Sequence, residues 1–174
     1  MILDKIVEKT RLRVEALKAA QSLDTVRKEA LATRGSSPFS FENALRTDDI
    51  TFICEVKKAS PSKGIISEHF PYLEVAREYE SAGAGAVSVL TEPDFFLGSN
   101  EYLKEIRQVV KLPVLRKDFT IDPYQIFEAK LLGADAILLI CAILDTNTIG
   151  EYIGIADSLG LSSLVEAHDE KELY

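Results

Sequence analysis

From Thr51 onward the chain alternates between short apolar runs and longer segments of helical periodicity, and few folds accept that alternation. The apolar runs are Phe52–Val56, Ala86–Leu90, Pro113–Arg116, Ala136–Ile140 and Ser163–Val165. Helical segments fall between them at Tyr72–Ala82, Asn100–Val110, Pro123–Leu132 and Thr146–Leu159. Gly83 with Gly85, Gly133 and Gly160 stand just ahead of the next run, where a helix stops and a strand begins. Strand–helix–strand repeats imply right-handed crossovers and therefore a parallel sheet. A doubly wound sheet and a TIM (β/α)8 barrel both satisfy this pattern. Neither GxGxxG nor a P-loop glycine pattern follows any run, which weakens the nucleotide-binding sheet. Charged residues gather instead at the C-terminal ends of the runs, at Glu55, Lys57, Glu92, Lys117, Asp118 and Glu166. Barrel enzymes build their sites at that end, so the α/β class resolves toward the barrel.

The region ahead of the first run reads differently. Ile2, Ile6, Val7, Val14 and Leu17 recur at helical spacing among charges, Gly35 to Pro38 break the pattern, and Phe39–Leu45 suggests one more short helix. Residues 1–48 are thus expected to form a helical N-terminal extension and 49–174 the barrel strands one to five with their helices, all in a single domain. A barrel of this kind has eight strands, so about three βα units are missing. The expectation is an incomplete barrel whose first and fifth strands are open edges, able to self-associate, with a helix opening at Asp169–Tyr174.

Composition narrows the function. Lys and Arg number 20 against 28 Asp and Glu, a net charge of −8 that argues against a broad nucleic-acid footprint. No apolar stretch approaches the roughly 18 residues of a membrane span, and the charged N-terminus lacks the apolar centre of a signal peptide. Cys54 and Cys141 form no CxxC pair, so free thiols in a reducing, cytoplasmic setting are expected. His69 and His168 read as solvated loop residues, and no HxH or HExxH spacing supports a metal.

Strand parity then raises a question at the first run. Ile53, Glu55 and Lys57 share one face; Phe52, Cys54 and Val56 share the other and are expected to pack on helices. Glu55 and Lys57 would then point into the space the strands enclose, where charges need partners or a task. Lys117 and Glu166 at equivalent strand ends would bring two ammonium and two carboxylate groups to one mouth. Such a cluster suits a small anionic ligand and acid–base chemistry, although any one of the four alone could be an ordinary solvated strand end.

The segments EVKKASPSKG, VSVLTEPDFFLGS, LPVLRKDF, GADAILLI and SLVEAHDEKEL resemble, in order and spacing, signatures of the indole-3-glycerol-phosphate synthases of tryptophan biosynthesis. The resemblance runs over practically the whole chain and includes the helical extension. It implies a TIM barrel without metal or organic cofactor. It also implies conversion of 1-(2-carboxyphenylamino)-1-deoxyribulose 5-phosphate to indole-3-glycerol phosphate, with loss of carbon dioxide and water. By motif, Lys117 matches the general acid, Glu166 the carboxylate of the later proton removal, Lys57 a lysine for the substrate's anionic groups, and Glu55 the carboxylate that orients it. Ser60 matches a substrate-binding hydroxyl, and Phe96 and Leu138 match apolar positions for the anthranilate ring, with core packing an equal reading for both. Glu92 matches the family motif as a substrate-side residue or as part of the polar network. The family's later N-R-D-L and E-S-G segments, which carry much of the phosphate grip, are not in this sequence. Two alternatives stay open: a non-catalytic piece of the same barrel, and another ribulose-phosphate barrel such as phosphoribosylanthranilate isomerase.

Overall fold

The structure is a computed structural model that describes residues 1–35 and 37–173. Helices α1 (Ile2–Ala20), α2 (Leu23–Ala32) and α3 (Ser40–Leu45) precede the sheet. Then come β1 (Ile53–Val56), a small hairpin of β2 (Ala59–Ser60) and β3 (Gly64–Ile65), α4 (Tyr72–Ser81), β4 (Ala86–Leu90) and α5 (Asn100–Val109). The order continues with β5 (Val114–Lys117), α6 (Pro123–Leu132), β6 (Ala136–Ile140), α7 (Thr146–Ser158) and β7 (Ser162–Glu166). Five strands pair in parallel in the order β1-β4-β5-β6-β7, leaving β1 and β7 as edges among the described residues.

The helices start and stop where their cap chemistry dictates. Ser99, Asp122 and Asp145 accept backbone N–H groups at the starts of α5, α6 and α7, and Pro123 opens α6 with its φ already helical. Gly133 ends α6 at φ 87°, a conformation that other residues adopt at a cost. α6 shows no polar face: Tyr124, Gln125, Ile126, Phe127, Ala129 and Leu132 are all buried. The reason is that α6 lies between the sheet and the N-terminal extension, with α2 packed along it and α1 beside it. The extension is therefore an outer layer over the third helix of the repeat.

Alternation divides each strand between two cores. Val56, Val87, Val89, Val114, Ile137 and Leu139 face the helices and join the large cluster there. Ala86, Leu115 and Ala136 face the other way and pack with Phe41 of α3, with Leu45 and Leu164 alongside. Phe41 is 2 % exposed, so α3 plugs the N-terminal end of that face and stabilises it by about 1.5–3 kcal/mol of apolar burial. Asp135 anchors the same end, accepting from Arg107 at 2.9 Å, the Val114 N–H at 2.8 Å and the Ser40 hydroxyl at 2.9 Å. Among the described residues the C-terminal end of the face is left open.

Some expectations shift. Phe52 does not pack on a helix: it precedes β1, an edge strand, and is 66 % exposed, although its carbonyl accepts the Gly85 N–H at 2.9 Å. Val56 does pack there, at 2 %, and Cys54 is half-buried. The KKASPSKG loop folds back on itself in the β2–β3 hairpin, which its polar composition does not announce. The segment after β7 forms a 3-10 turn over Glu170–Leu173 rather than an α-helical start, and Tyr174 lies outside the described residues, as does Ser36 in the Gly35 to Pro38 break.

Candidate active site

The unplugged end of the face collects the residues that parity places there. Glu55 and Lys57 come from the end of β1, Lys117 from β5, Leu138 and Ile140 from β6, and Glu166 from β7. With Leu90 and the loop residues Phe96, Asp118 and Phe119 they line one open cavity of about 200 Å³. A groove of about 530 Å³ between α1 and the β6–α7 turn is larger, yet its Lys18 and Asp122 already pair across it. Convergence of charge, rather than size, marks the smaller cavity as the site.

Within it the charges form two pairs. Lys57 Nζ donates to Glu55 Oε1 at 2.5 Å, and Lys117 Nζ to Glu166 Oε2 at 3.2 Å. All four side chains are about a third exposed, so solvent screens these pairs and each contributes at most about 1 kcal/mol to stability. A ligand can therefore replace either partner at little cost to the fold. Phe96 and Phe119 face each other at 6.0 Å between ring centroids and form an aromatic wall, while Leu90, Leu138 and Ile140 supply an apolar floor. The arrangement can hold a planar apolar body between paired proton donors and acceptors.

Two of the residues singled out from sequence sit elsewhere. Glu92 is fully buried and accepts the N–H groups of Asp94 at 3.0 Å, Phe95 at 2.7 Å and Phe96 at 3.0 Å. Its carboxylate shapes the loop that presents Phe96 and does not line the cavity. Ser60 lies on β2, where its hydroxyl accepts the Lys63 N–H at 3.3 Å; it too is outside the cavity lining.

Other residues belong to the site's surroundings and were not legible. Arg116 is 4 % exposed and pairs with Glu128 at 2.6 Å, and Arg13 of α1 reaches Asp118 at 2.7 Å. A buried arginine inside a strand gives no sequence signal until its partners, from other segments, are in place. His168 is exposed as expected, but its Nε2 lies 3.5 Å from the Glu166 oxygen that Lys117 leaves free. Behind β1, the Tyr79 hydroxyl donates to the Glu55 carbonyl at 3.2 Å; burial, then the nearby Cys54 and Glu55, push its phenol above the ordinary range.

No group of His, Cys, Asp and Glu among the described residues has the geometry of a metal site, and no described helix is long and apolar enough to cross a membrane. Comparison with known proteins agrees with the motifs. The family model described as indole-3-glycerol phosphate synthase matches residues 3–174. An indole-3-glycerol phosphate synthase of Ruminiclostridium cellulolyticum is 64 % identical over 99 % of this chain and 66 % of its own length. One from Endomicrobium trichonymphae is 57 % identical over 99 % of this chain and 67 % of its own, and one from Carboxydothermus hydrogenoformans 48 % over 99 % and 67 %. The chain thus spans about two thirds of the length of the curated relatives it matches. Among solved structures, a mandelate oxidase mutant superposes with a TM-score of 0.51 at 18 % identity, covering 75 % of this chain and 46 % of that one; this likeness bears on the fold alone. The family's fold is the TIM barrel, of which this chain carries five strands, and the chain belongs to the indole-3-glycerol phosphate synthase family.

Proposed function

We propose that the protein is the ring-closing enzyme its family name describes, acting on 1-(2-carboxyphenylamino)-1-deoxyribulose 5-phosphate. The observation that carries this reading is the Lys117–Glu166 pair, 3.2 Å apart across the apolar floor of a cavity that also holds Glu55, Lys57 and an aromatic wall. The aryl carbon bearing the carboxylate attacks the ketose carbonyl, and negative charge develops on that oxygen. The Lys117 ammonium lies where it can neutralise this charge and transfer a proton. Carbon dioxide then leaves, its bonding electrons restoring the aromatic ring. The new hydroxyl departs as water, taking its second proton from the Lys57 ammonium, while Glu166 takes the proton whose loss forms the indole double bond. Lys57, oriented by Glu55, holds the substrate's anionic groups; Phe96, Phe119 and Leu138 flank the aryl ring. Ser60, on the β2–β3 hairpin, is assigned to the substrate side as a hydroxyl donor, and Glu92 to the loop that presents Phe96.

Residues 49–174 in this reading supply five barrel strands with four intervening helices, and residues 1–48 an extension that covers α6. The edge strands β1 and β7 carry exposed Ile53 and Val165, with exposed Phe52 just ahead of β1, which supports pairing of the 174-residue polypeptide with a second copy of itself.

The test is formation of indole-3-glycerol phosphate by the protein with Lys117→Met and Glu166→Gln. Both variants are expected to melt within about 1 kcal/mol of the parent, since the pair is screened, while kcat falls at least about a hundredfold and KM changes little. A Lys117→Met enzyme with unchanged kcat and a raised KM would reduce Lys117 to a binding residue.

A further inference from the structure

The aromatic wall is held from outside the barrel repeat. Asp118 is 3 % exposed, and its carboxylate is fully engaged. Oδ1 accepts Arg13 of α1 at 2.7 Å and the Phe119 N–H at 2.8 Å; Oδ2 accepts the Thr91 hydroxyl at 2.7 Å. Phe119 in turn meets Phe96, whose N–H is held by buried Glu92 at 3.0 Å. Both phenylalanines are thus set by a buried carboxylate acting on their backbone, and Thr91 ties the two turns together. Arg116 also approaches Asp118, at 3.6 Å, but it is already committed to Glu128 at 2.6 Å. Arg13 is the cation in direct contact.

We infer that Arg13, in the N-terminal extension, is a positioning residue for the aromatic wall. It supplies the charge that keeps Asp118 buried with an oxygen on the Phe119 N–H, and so sets the spacing of Phe119 and Phe96. A carboxylate this deep needs a hydrogen-bonded counter-charge. Without Arg13 it turns toward water, releases the Phe119 N–H and lets the ring swing. The extension then does more than cover α6: it sets how the two contacting rings line the cavity. The consequence for substrate rests on the proposed function, because it takes the cavity beside this wall as the aryl site.

The test uses the protein labelled with 4-fluorophenylalanine, whose eight Phe signals are assigned by single Phe→Leu variants. Arg13→Met is expected to move and broaden the fluorine signals of Phe119 and Phe96 while those of Phe41 and Phe127 stay in place. Arg13→Lys is expected to return most of the shift, and Arg11→Met, whose partner Glu8 lies on the surface, to move neither. Thr91→Val, which removes the Oδ2 donor at nearly constant volume, serves if Arg13→Met does not fold, and is expected to move the same two signals. Unmoved Phe119 and Phe96 signals in either variant overturn the inference. So does a uniform shift of all eight, which would make Arg13 a general fastener. In turnover, Arg13→Met is expected to raise KM several-fold with a smaller fall in kcat. Moved signals with no measurable turnover would support the positioning role and count against the proposed function alone.

Discussion

Replacing Gly98 with alanine tests how rigidly the β4–α5 loop is set. The added Cβ would lie 2.4 Å from the Leu90 carbonyl oxygen, 2.7 Å from the Leu90 carbonyl carbon and 2.9 Å from the Glu92 carbonyl oxygen. All three are backbone atoms, and the nearest is about 1 Å inside ordinary contact. Those same carbonyls accept the Gly98 N–H at 2.8 Å and the Ser99 N–H at 3.3 Å. Pushing the chain outward therefore forfeits about half of two hydrogen bonds, each worth about 1 kcal/mol net, on top of an overpacking cost of about 1–3 kcal/mol. The total is about 2–4 kcal/mol. At about 2.1 cal/mol/K per residue the unfolding entropy of 174 residues is about 0.37 kcal/mol/K, so Tm should fall by about 5–11 °C. Gly150→Ala is the control: it lies inside α7 with nothing within 4 Å of its added Cβ and should raise Tm by about 1–3 °C through helix propensity. Differential scanning calorimetry on the three proteins settles the matter. A Gly98→Ala protein melting within 2 °C of the parent would refute the reasoning, because it would mean that the loop yields at almost no cost.

Four further outcomes are expected. Phe41→Ala should destabilise by about 3–5 kcal/mol in urea titration, yet leave the fluorine signals of Phe96 and Phe119 in place, since the plug lies at the opposite end of the face. The Asp145 carboxyl is held below its ordinary range by the Thr148 N–H and hydroxyl. Its contribution to stability is therefore present above the unfolded-state value and lost as pH falls through the folded one, and Asp145→Asn should flatten that acid limb in pH-dependent melting. Tyr72, through its hydrogen bond to Glu105, and Tyr152, through burial, are pushed up to about 12. In the alkaline direction the unfolded chain ionises these phenols first, so stability should fall between about pH 10 and 12; absorbance titration of Tyr72→Phe should show one fewer late phenol. Sedimentation velocity of the 174-residue polypeptide should give a dimer or larger species; a clean monomer at micromolar concentration would mean the β1 and β7 edges are adequately shielded as they stand.

The sheet was legible because parallel strands joined by helices leave a periodic trace, and boundaries moved by only a residue or two, as when Pro113–Arg116 became Val114–Lys117. Glu55, Lys57, Lys117 and Glu166 were legible for the same reason: alternation assigns a face to every residue of a strand, whatever surrounds it. Phe52 misled because parity says which way a side chain points and not whether anything is there to meet it; at an edge strand nothing was. The hairpin at Ala59 to Ile65 left no periodic trace, being only two residues on each side.

Chain order by itself determined the repeat, the parallel sheet, the end at which charge collects and the motifs that place the chain in its family. These are properties of neighbouring residues, and local geometry with period 2 or 3.6 is sufficient to write them. Tertiary structure alone decided that Glu92 and Ser60 stand back from the cavity, that α3 plugs one end of the face, and that Arg13 meets Asp118 across 105 positions. Burial and pairing between distant segments carry no period, because the partner of a buried charge is chosen by where the chain returns in space.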